Sequence, residues 1–221
     1  LSKNKQTELW NGEFGNDYTE RNTFTDTDIK NRQGMWRSVL NCVINSPSNL
    51  RKIYPESYCE IGAGNGQNIV AIHRMYADEQ KPKFVAYETN KKAVANLTSA
   101  KYNDNMKLEI NNTDWLNVHV GGAIADLVYT SGVLIHVHPD NLIKFMGRMF
   151  NASAKYVVFA EYFSPSQRAV HYRGNGEALW LNDFGSIFLD NFNVRCCGYN
   201  FMWKRVTGLD NLTTWIFEKV H

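Results

Sequence analysis

The chain has 221 residues, 43% of them hydrophobic, with 24 Lys plus Arg against 22 Asp plus Glu and a net charge of +2. That length and balance fit one globular domain with one good core. They argue against a nucleic-acid binder, which needs a clustered basic face; the densest basic spots, Lys81 to Lys83 and Lys91-Lys92, are short.

From the N-terminus, no apolar signal segment follows Leu1, and no apolar run approaches the ~20 residues of a membrane span. A soluble, cytoplasmic protein is expected. Cys42, Cys59, Cys196 and Cys197 form no CxxC or metal spacing and read as reduced, mostly buried thiols. Asn11 to Asn22 is polar, Gly-bearing and aromatic. Thr25 or Asp26 then caps a helix running to about Ile44. Residues 1–50 are expected to form a lid over residues 51–221, within a single domain.

From residue 53 strands and helices alternate. Tyr58–Ile61, Lys83–Tyr87, Met106–Ile110, Ala125–Tyr129 and Tyr156–Ala160 read as strands. Between them, Ile69, Val70, Ile72, His73 and Tyr76 share one helical stripe. Asn90 is placed to cap a second helix carrying Ala93, Val94 and Leu97, and Pro139-Asp140 to open a third. The alternation predicts an α/β fold with a parallel sheet covered on both faces. Ala178 to Phe188 reads as a helix. Val194–Trp203 and Asn211–Val220 read as two strands with no helix between them, hence an antiparallel pair at the sheet edge.

The first strand runs into Glu60-Ile61-Gly62-Ala63-Gly64-Asn65-Gly66, at the end of the sheet where such folds bind ligands. The spacing is GxGxG rather than the dinucleotide GxGxxG, and no Lys-Ser/Thr follows as in a P-loop. The turn is entered from a carboxylate, Glu60, which repels a polyphosphate and attracts an ammonium. Glu88, at the second strand end, is suited to accept both hydroxyls of a ribose. Asp114 and Trp115, after the third strand, suit an adenine amine and ring. Ribose, adenine and an ammonium-bearing tail together describe S-adenosylmethionine, with S-adenosylhomocysteine as product.

On these residues the chain resembles the class I S-adenosylmethionine-dependent methyltransferases over about residues 53–221. The resemblance implies a Rossmann-like, mostly parallel seven-stranded sheet ending in an antiparallel pair. More narrowly it resembles the methylases associated with pseudaminic acid biosynthesis. Trp10 to Gly15, Asp17 to Asn22, Ser131 to His136, Ala160-Glu161-Tyr162 and Tyr172-Arg173-Gly174 carry that likeness. The resemblance implies a sugar, sugar-acid or nucleotide-sugar acceptor methylated at O or N; another metabolite or a peptide side chain as acceptor, or a cofactor-binding module without catalysis, stays open. It also implies Ser131 beside the cofactor and a substrate-side insert at about 162–182. His138 departs from the uncharged polar residue expected there.

Acceptor chemistry falls to the segments after the fourth and fifth strands. His136 is the base by pKa, or else it packs under the lid. Glu161 is expected to take a proton or orient the acceptor, and Tyr162 to wall the pocket. Neither an Asn/Asp-Pro-Pro-Tyr turn nor a Pro-Cys nucleophile is present, so nucleic acid is not the expected substrate. No clustered oxygen set suits a metal. Arg21 and Arg173 are candidates to clamp an acceptor anion, or else to hold the lid to the body by an ion pair, with Tyr18 and Tyr172 against the acceptor ring or burying the lid. A monomer or homodimer is expected.

Overall fold

The computed structural model describes residues 5–103, 105–172 and 175–220. Three helices come first: α1 (Lys5–Asn11), α2 (Glu13–Arg21) and α3 (Asp26–Ile44). Then follow β1 (Ser57–Ile61), α4 (Gln67–His73), β2 (Lys83–Glu88), α5 (Lys91–Asn103), β3 (Leu108–Asn112), β4 (Ala125–Ser131), α6 (Pro139–Ala152) and β5 (Ser153–Glu161). The last part holds β6 (Arg168–Tyr172), β7 (Asn175–Leu181), α7 (Phe184–Asn191), β8 (Val194–Met202), the one-turn α8 (Lys204–Thr207) and β9 (Leu212–Lys219).

Seven strands form one sheet in the order β3-β2-β1-β4-β5-β9-β8. β1 to β5 are parallel, and β9 runs antiparallel to both β5 and β8. This is the predicted architecture, including the terminal antiparallel pair. Strand order reverses between β1 and β4, so a crevice opens beyond their C-terminal ends.

Local chemistry sets the helix starts. The Thr25 hydroxyl accepts from Asp28 N–H at 3.3 Å while Asp28 Oδ2 accepts from Thr25 N–H at 2.7 Å, a reciprocal cap on α3. Asn90 Oδ1 accepts from Lys92 and Ala93 N–H at 2.9 and 3.0 Å and starts α5. Pro139 opens α6 behind a His138 side-chain cap. One core, with Trp36 against Tyr129 at 4.6 Å, lies between the sheet and α3, α4 and α5. The other packs α6 and α7 on the opposite face around Phe159, Phe188 and Phe217.

Two expectations are corrected. The helix read over Ala178 to Phe188 is a strand followed by a shorter helix. β7 pairs with β6 as a separate two-stranded sheet, Val170 opposite Leu179 and Ala169 opposite Trp180, and α7 starts after the Asp183 cap. Ala178, Leu179 and Trp180 are all buried, and a short continuous apolar run carries no period that separates strand from helix. Of the thiols, only Cys59 is buried; Cys196 is exposed, beside a bulge where β8 shifts register on β9. Among the described residues no helix is long and apolar enough to cross a membrane.

Residues 5–21 fold as two short helices that lie over the crevice. This segment is hydrogen-bonded to the loops beneath it. Asn65 Nδ2 donates to Thr19 O and Asn22 O at 2.9 and 3.0 Å, Gln67 Nε2 to Asn22 O at 2.7 Å, and Asn90 Nδ2 to Trp10 O at 2.9 Å.

Candidate active site

Beneath the lid, a cavity of about 230 Å³ opens at the ends of β1, β2 and β4. Its floor is the glycine turn. Gly62, Gly64 and Gly66 have φ of +71°, +53° and +83°, a region that side-chain-bearing residues adopt at a cost. A Cβ on Gly62 would lie 2.6 Å from Val133 Cγ2, and one on Gly66 2.3 Å from Leu97 Cδ1. Gly64 meets nothing within 4 Å. The outer two glycines therefore serve packing as well as backbone shape, and Gly64 leaves its space to the cavity.

Glu60 lines the cavity from the end of β1 and is almost wholly buried. Its Oε1 accepts from Asn68 Nδ2 at 2.7 Å and its Oε2 from the Tyr129 hydroxyl at 3.1 Å. Burial pushes its carboxyl up to about 8, against the pull of those bonds and of the nearby Arg32 guanidinium. Arg32 is a cavity residue that sequence reasoning missed. It reaches in from α3, donating from Nη1 to Asn68 Oδ1 at 3.0 Å, while its buried Nε has no hydrogen-bond partner. A signal for it exists: Ile29, Trp36, Val39, Leu40 and Val43 form the buried stripe of α3, and Arg32 falls on that stripe.

Glu88 lies at the end of β2, also buried and cavity-lining. Its Oε2 accepts from Gly64 N–H and its Oε1 from Asn90 N–H, both at 2.8 Å. Each oxygen keeps a lone pair for a further donor. Asp114 lines the far side, with Oδ1 accepting from Leu116 N–H at 2.9 Å and Oδ2 from the Thr7 hydroxyl of α1 at 2.7 Å. Trp115 is buried between Tyr87, 4.8 Å away, and Phe145, 6.5 Å away, and donates from Nε1 to Phe145 O.

On the acceptor side, Ser131 and His136 line the cavity after β4. His136 Nδ1 is 2.9 Å from Ala178 O. A carbonyl only accepts, so Nδ1 carries the proton and Nε2 the lone pair. Burial pulls the imidazole down to about 4, which keeps it neutral near pH 7. The hairpin that the sequence hid thus fixes the tautomer of the histidine that the sequence offered as base.

Three expected acceptor residues are placed elsewhere. Glu161 is fully buried under the turn 131–136 and does not line the cavity; Oε1 accepts from Val133 N–H at 3.1 Å, and Oε2 has no hydrogen-bond partner. Burial raises its carboxyl to about 7 although backbone N–H groups of that turn favour the ionised form. Tyr162 turns away and donates to Asp210 Oδ2 at 2.9 Å. Arg21 is exposed and sits 4.0 Å from Asp17 on its own helix, outside the cavity. Tyr18 does line the cavity, and Tyr172 packs against His136 at 5.3 Å. Arg173 lies outside the described residues. Among the described residues no cluster of three or more His, Cys, Asp or Glu side chains is placed to hold a metal ion.

Comparison with solved structures places the fold. The chain is similar to Burkholderia thailandensis 1,6-didemethyltoxoflavin-N1-methyltransferase, solved with 1,6-didemethyltoxoflavin and S-adenosylhomocysteine. The TM-score is 0.72 at 13% identity, over 100% of this chain and 92% of that one. It is also similar to magnesium protoporphyrin IX methyltransferase of Synechocystis PCC 6803. With S-adenosylmethionine bound, the TM-score is 0.67 at 14% identity over 99% and 97% of the two chains; with S-adenosylhomocysteine it is 0.68 at 14% over 99% and 100%. What is common at this identity is the Rossmann-like methyltransferase fold, as expected from the sequence. No protein-family model and no curated relative matches the chain.

Proposed function

We propose that the chain is an S-adenosylmethionine-dependent methyltransferase acting on a small-molecule acceptor. One observation carries the reading: the glycine turn is flanked by a buried carboxylic acid, Glu60, and by the half-buried Arg32, whose Nε is buried without a hydrogen-bond partner, both lining one cavity. An amino-acid tail carries both complementary charges, a carboxylate for Arg32 and an ammonium for Glu60, whereas a pyrophosphate brings no cation to Glu60. Arg32 would hold the tail carboxylate, Glu60 the ammonium, Glu88 the ribose diol, and Asp114 with Trp115 the adenine end. Bound S-adenosylmethionine supplies an electrophilic methyl group.

The chain's own part is to exclude water, orient the acceptor and take its proton. The lid bonds to Asn65, Gln67 and Asn90 serve the first. His136 serves the last, neutral and with Nε2 free to accept. The solved neighbours are named for small-molecule acceptors, in keeping with a reading that excludes polymers. The narrower expectation of a sugar-acid or nucleotide-sugar acceptor needs a cation for the anion. Arg21 is not at the cavity, so that expectation is left with Arg173.

Calorimetry with S-adenosylmethionine, S-adenosylhomocysteine, NAD and ATP tests the cofactor assignment. The first two are expected to bind and the last two not. Binding of NAD or ATP in place of the sulfonium compound would refute it.

A further inference from the structure

This inference rests on the methyltransferase reading and concerns the class of acceptor. Four rings close a circuit beside the acceptor end of the cavity, where Trp10 and His136 line it and Phe14 and Tyr172 pack against them. Trp10 lies 5.4 Å from Phe14, Phe14 6.0 Å from Tyr172, Tyr172 5.3 Å from His136, and His136 4.7 Å from Trp10. The interplanar angles, 54° to 81°, are those of edge-to-face and tilted packing. Tyr18 adds a fifth ring, 5.2 Å from Trp10. The rings come from three separate places: the lid helices, β6, and the turn after β4.

An acceptor that reaches His136 Nε2 has to enter this circuit and part some of these contacts. A sugar can lay a C–H face on one ring, but its peripheral hydroxyls then meet the other rings, which offer them few hydrogen-bond partners. A planar aromatic replaces each ring contact it breaks with another of the same kind. Charge points the same way, since Arg32 is the single Lys or Arg among the described residues lining the cavity, and it is near Glu60. The base adds a third constraint. An imidazole lowered to about 4 is a weak proton acceptor. An aliphatic hydroxyl, close to water at about 15.7, is badly matched to it; a phenol near ~10 is roughly six units closer.

We infer that the acceptor is a planar aromatic or heteroaromatic molecule bearing an acidic hydroxyl or ring N–H, held among Trp10, Phe14, Tyr18 and Tyr172 with its proton directed to His136 Nε2. The acceptor's lone pair forms the new bond to the methyl carbon as the sulfonium's bond pair returns to sulfur. The acceptor proton passes to Nε2 and then to solvent.

The test uses the full chain and methyl-labelled S-adenosylmethionine. One acceptor set holds para-substituted phenols of graded acidity, 8-hydroxyquinoline and xanthine. The other holds glucuronic acid, N-acetylneuraminic acid and aliphatic amines. Label is expected in the aromatic set alone. There Tyr172→Leu should raise KM about tenfold and Tyr172→Phe by no more than about twofold, because one removes the ring and the other keeps it. His136→Gln should lower kcat about 100-fold or more. All three variants should leave the S-adenosylhomocysteine Kd unchanged, which also checks their folding. The inference is overturned by label in the non-aromatic set alone, by equal KM values for the two Tyr172 variants, or by intact S-adenosylhomocysteine binding with no aromatic compound bound or methylated. Failure to bind S-adenosylmethionine or S-adenosylhomocysteine is a different result: it removes the methyltransferase reading and this inference with it.

Discussion

Cofactor binding should expel a proton from Glu60. In the ligand-free chain burial holds this carboxyl near 8, so at pH 7 it is about 0.9 protonated. An ammonium brought against it favours the charged form and drives the carboxyl back toward its ordinary range. Binding of S-adenosylhomocysteine at pH 7 should therefore release about 0.9 proton, and the ionised fraction of the free protein should rise about fifty-fold from pH 6 to pH 8. Affinity should climb by a similar factor, roughly 2 kcal/mol. Titration calorimetry in phosphate and in Tris, whose ionisation heats differ, counts the protons directly. Glu60→Gln keeps the shape without the titration and should show neither the release nor the slope. For folding the sign is reversed. A carboxyl raised in the folded state keeps a proton that the unfolded chain gives up above about 4.3, so ligand-free stability falls as pH rises from there through about 8. Glu60→Gln should then melt above the wild type at pH 8 and close to it at pH 4. Equal binding heats in both buffers, with affinity flat from pH 6 to 8, would refute the placement of the ammonium at Glu60.

Three further outcomes follow from the same cavity. Arg32→Met should weaken S-adenosylhomocysteine by about 2–5 kcal/mol while leaving 5′-methylthioadenosine, which lacks the amino-acid tail, unaffected; equal losses for both ligands in calorimetry would move Arg32 away from the tail. Glu88→Ala should cost both nucleosides roughly 1.5–3 kcal/mol, the scale of hydrogen bonds to a charged group, and unchanged affinity would remove Glu88 from the ribose. Gly66→Ala should lower the melting temperature as well as cofactor affinity, because its φ of +83° and the Leu97 methyl 2.3 Å from the new Cβ both oppose it; a melting curve superimposable on the wild type would show that the turn relaxes freely.

The parts of this molecule that the sequence disclosed are those set by short-range pattern plus one topological rule. Strands β1, β4 and β5 have buried runs and β2 an alternating pattern, each bounded by turn residues, and their ends fix where Glu60, the glycines and Glu88 must stand. The hairpin β6–β7 was hidden because its buried stretch, Ala178 to Trp180, obtains its conformation from the partner strand. Glu161 and Tyr162 show the same limit at the scale of one residue. Neighbours at a strand end leave on opposite sides, one beneath the turn and one toward Asp210, and only the packing of that turn decides which side faces the ligand.

The two arginines of the N-terminal segment make the physical point most directly. Arg21 stood among aromatics and looked like an anion clamp; Arg32 stood in an ordinary helix. What separates them is phase. Arg21 pairs on the surface with Asp17 one turn away, at a distance and exposure where such a pair contributes little. Arg32 shares the stripe of Ile29 and Trp36, which turns its half-buried side chain inward and buries its Nε. Its buried Nε needs a partner and has no protein acceptor, and burial that raises the Glu60 carboxyl to about 8 leaves that neighbour little negative charge to offer. An arriving carboxylate would satisfy Arg32 while its ammonium would ionise Glu60, so that one zwitterion, rather than either group, would complete both.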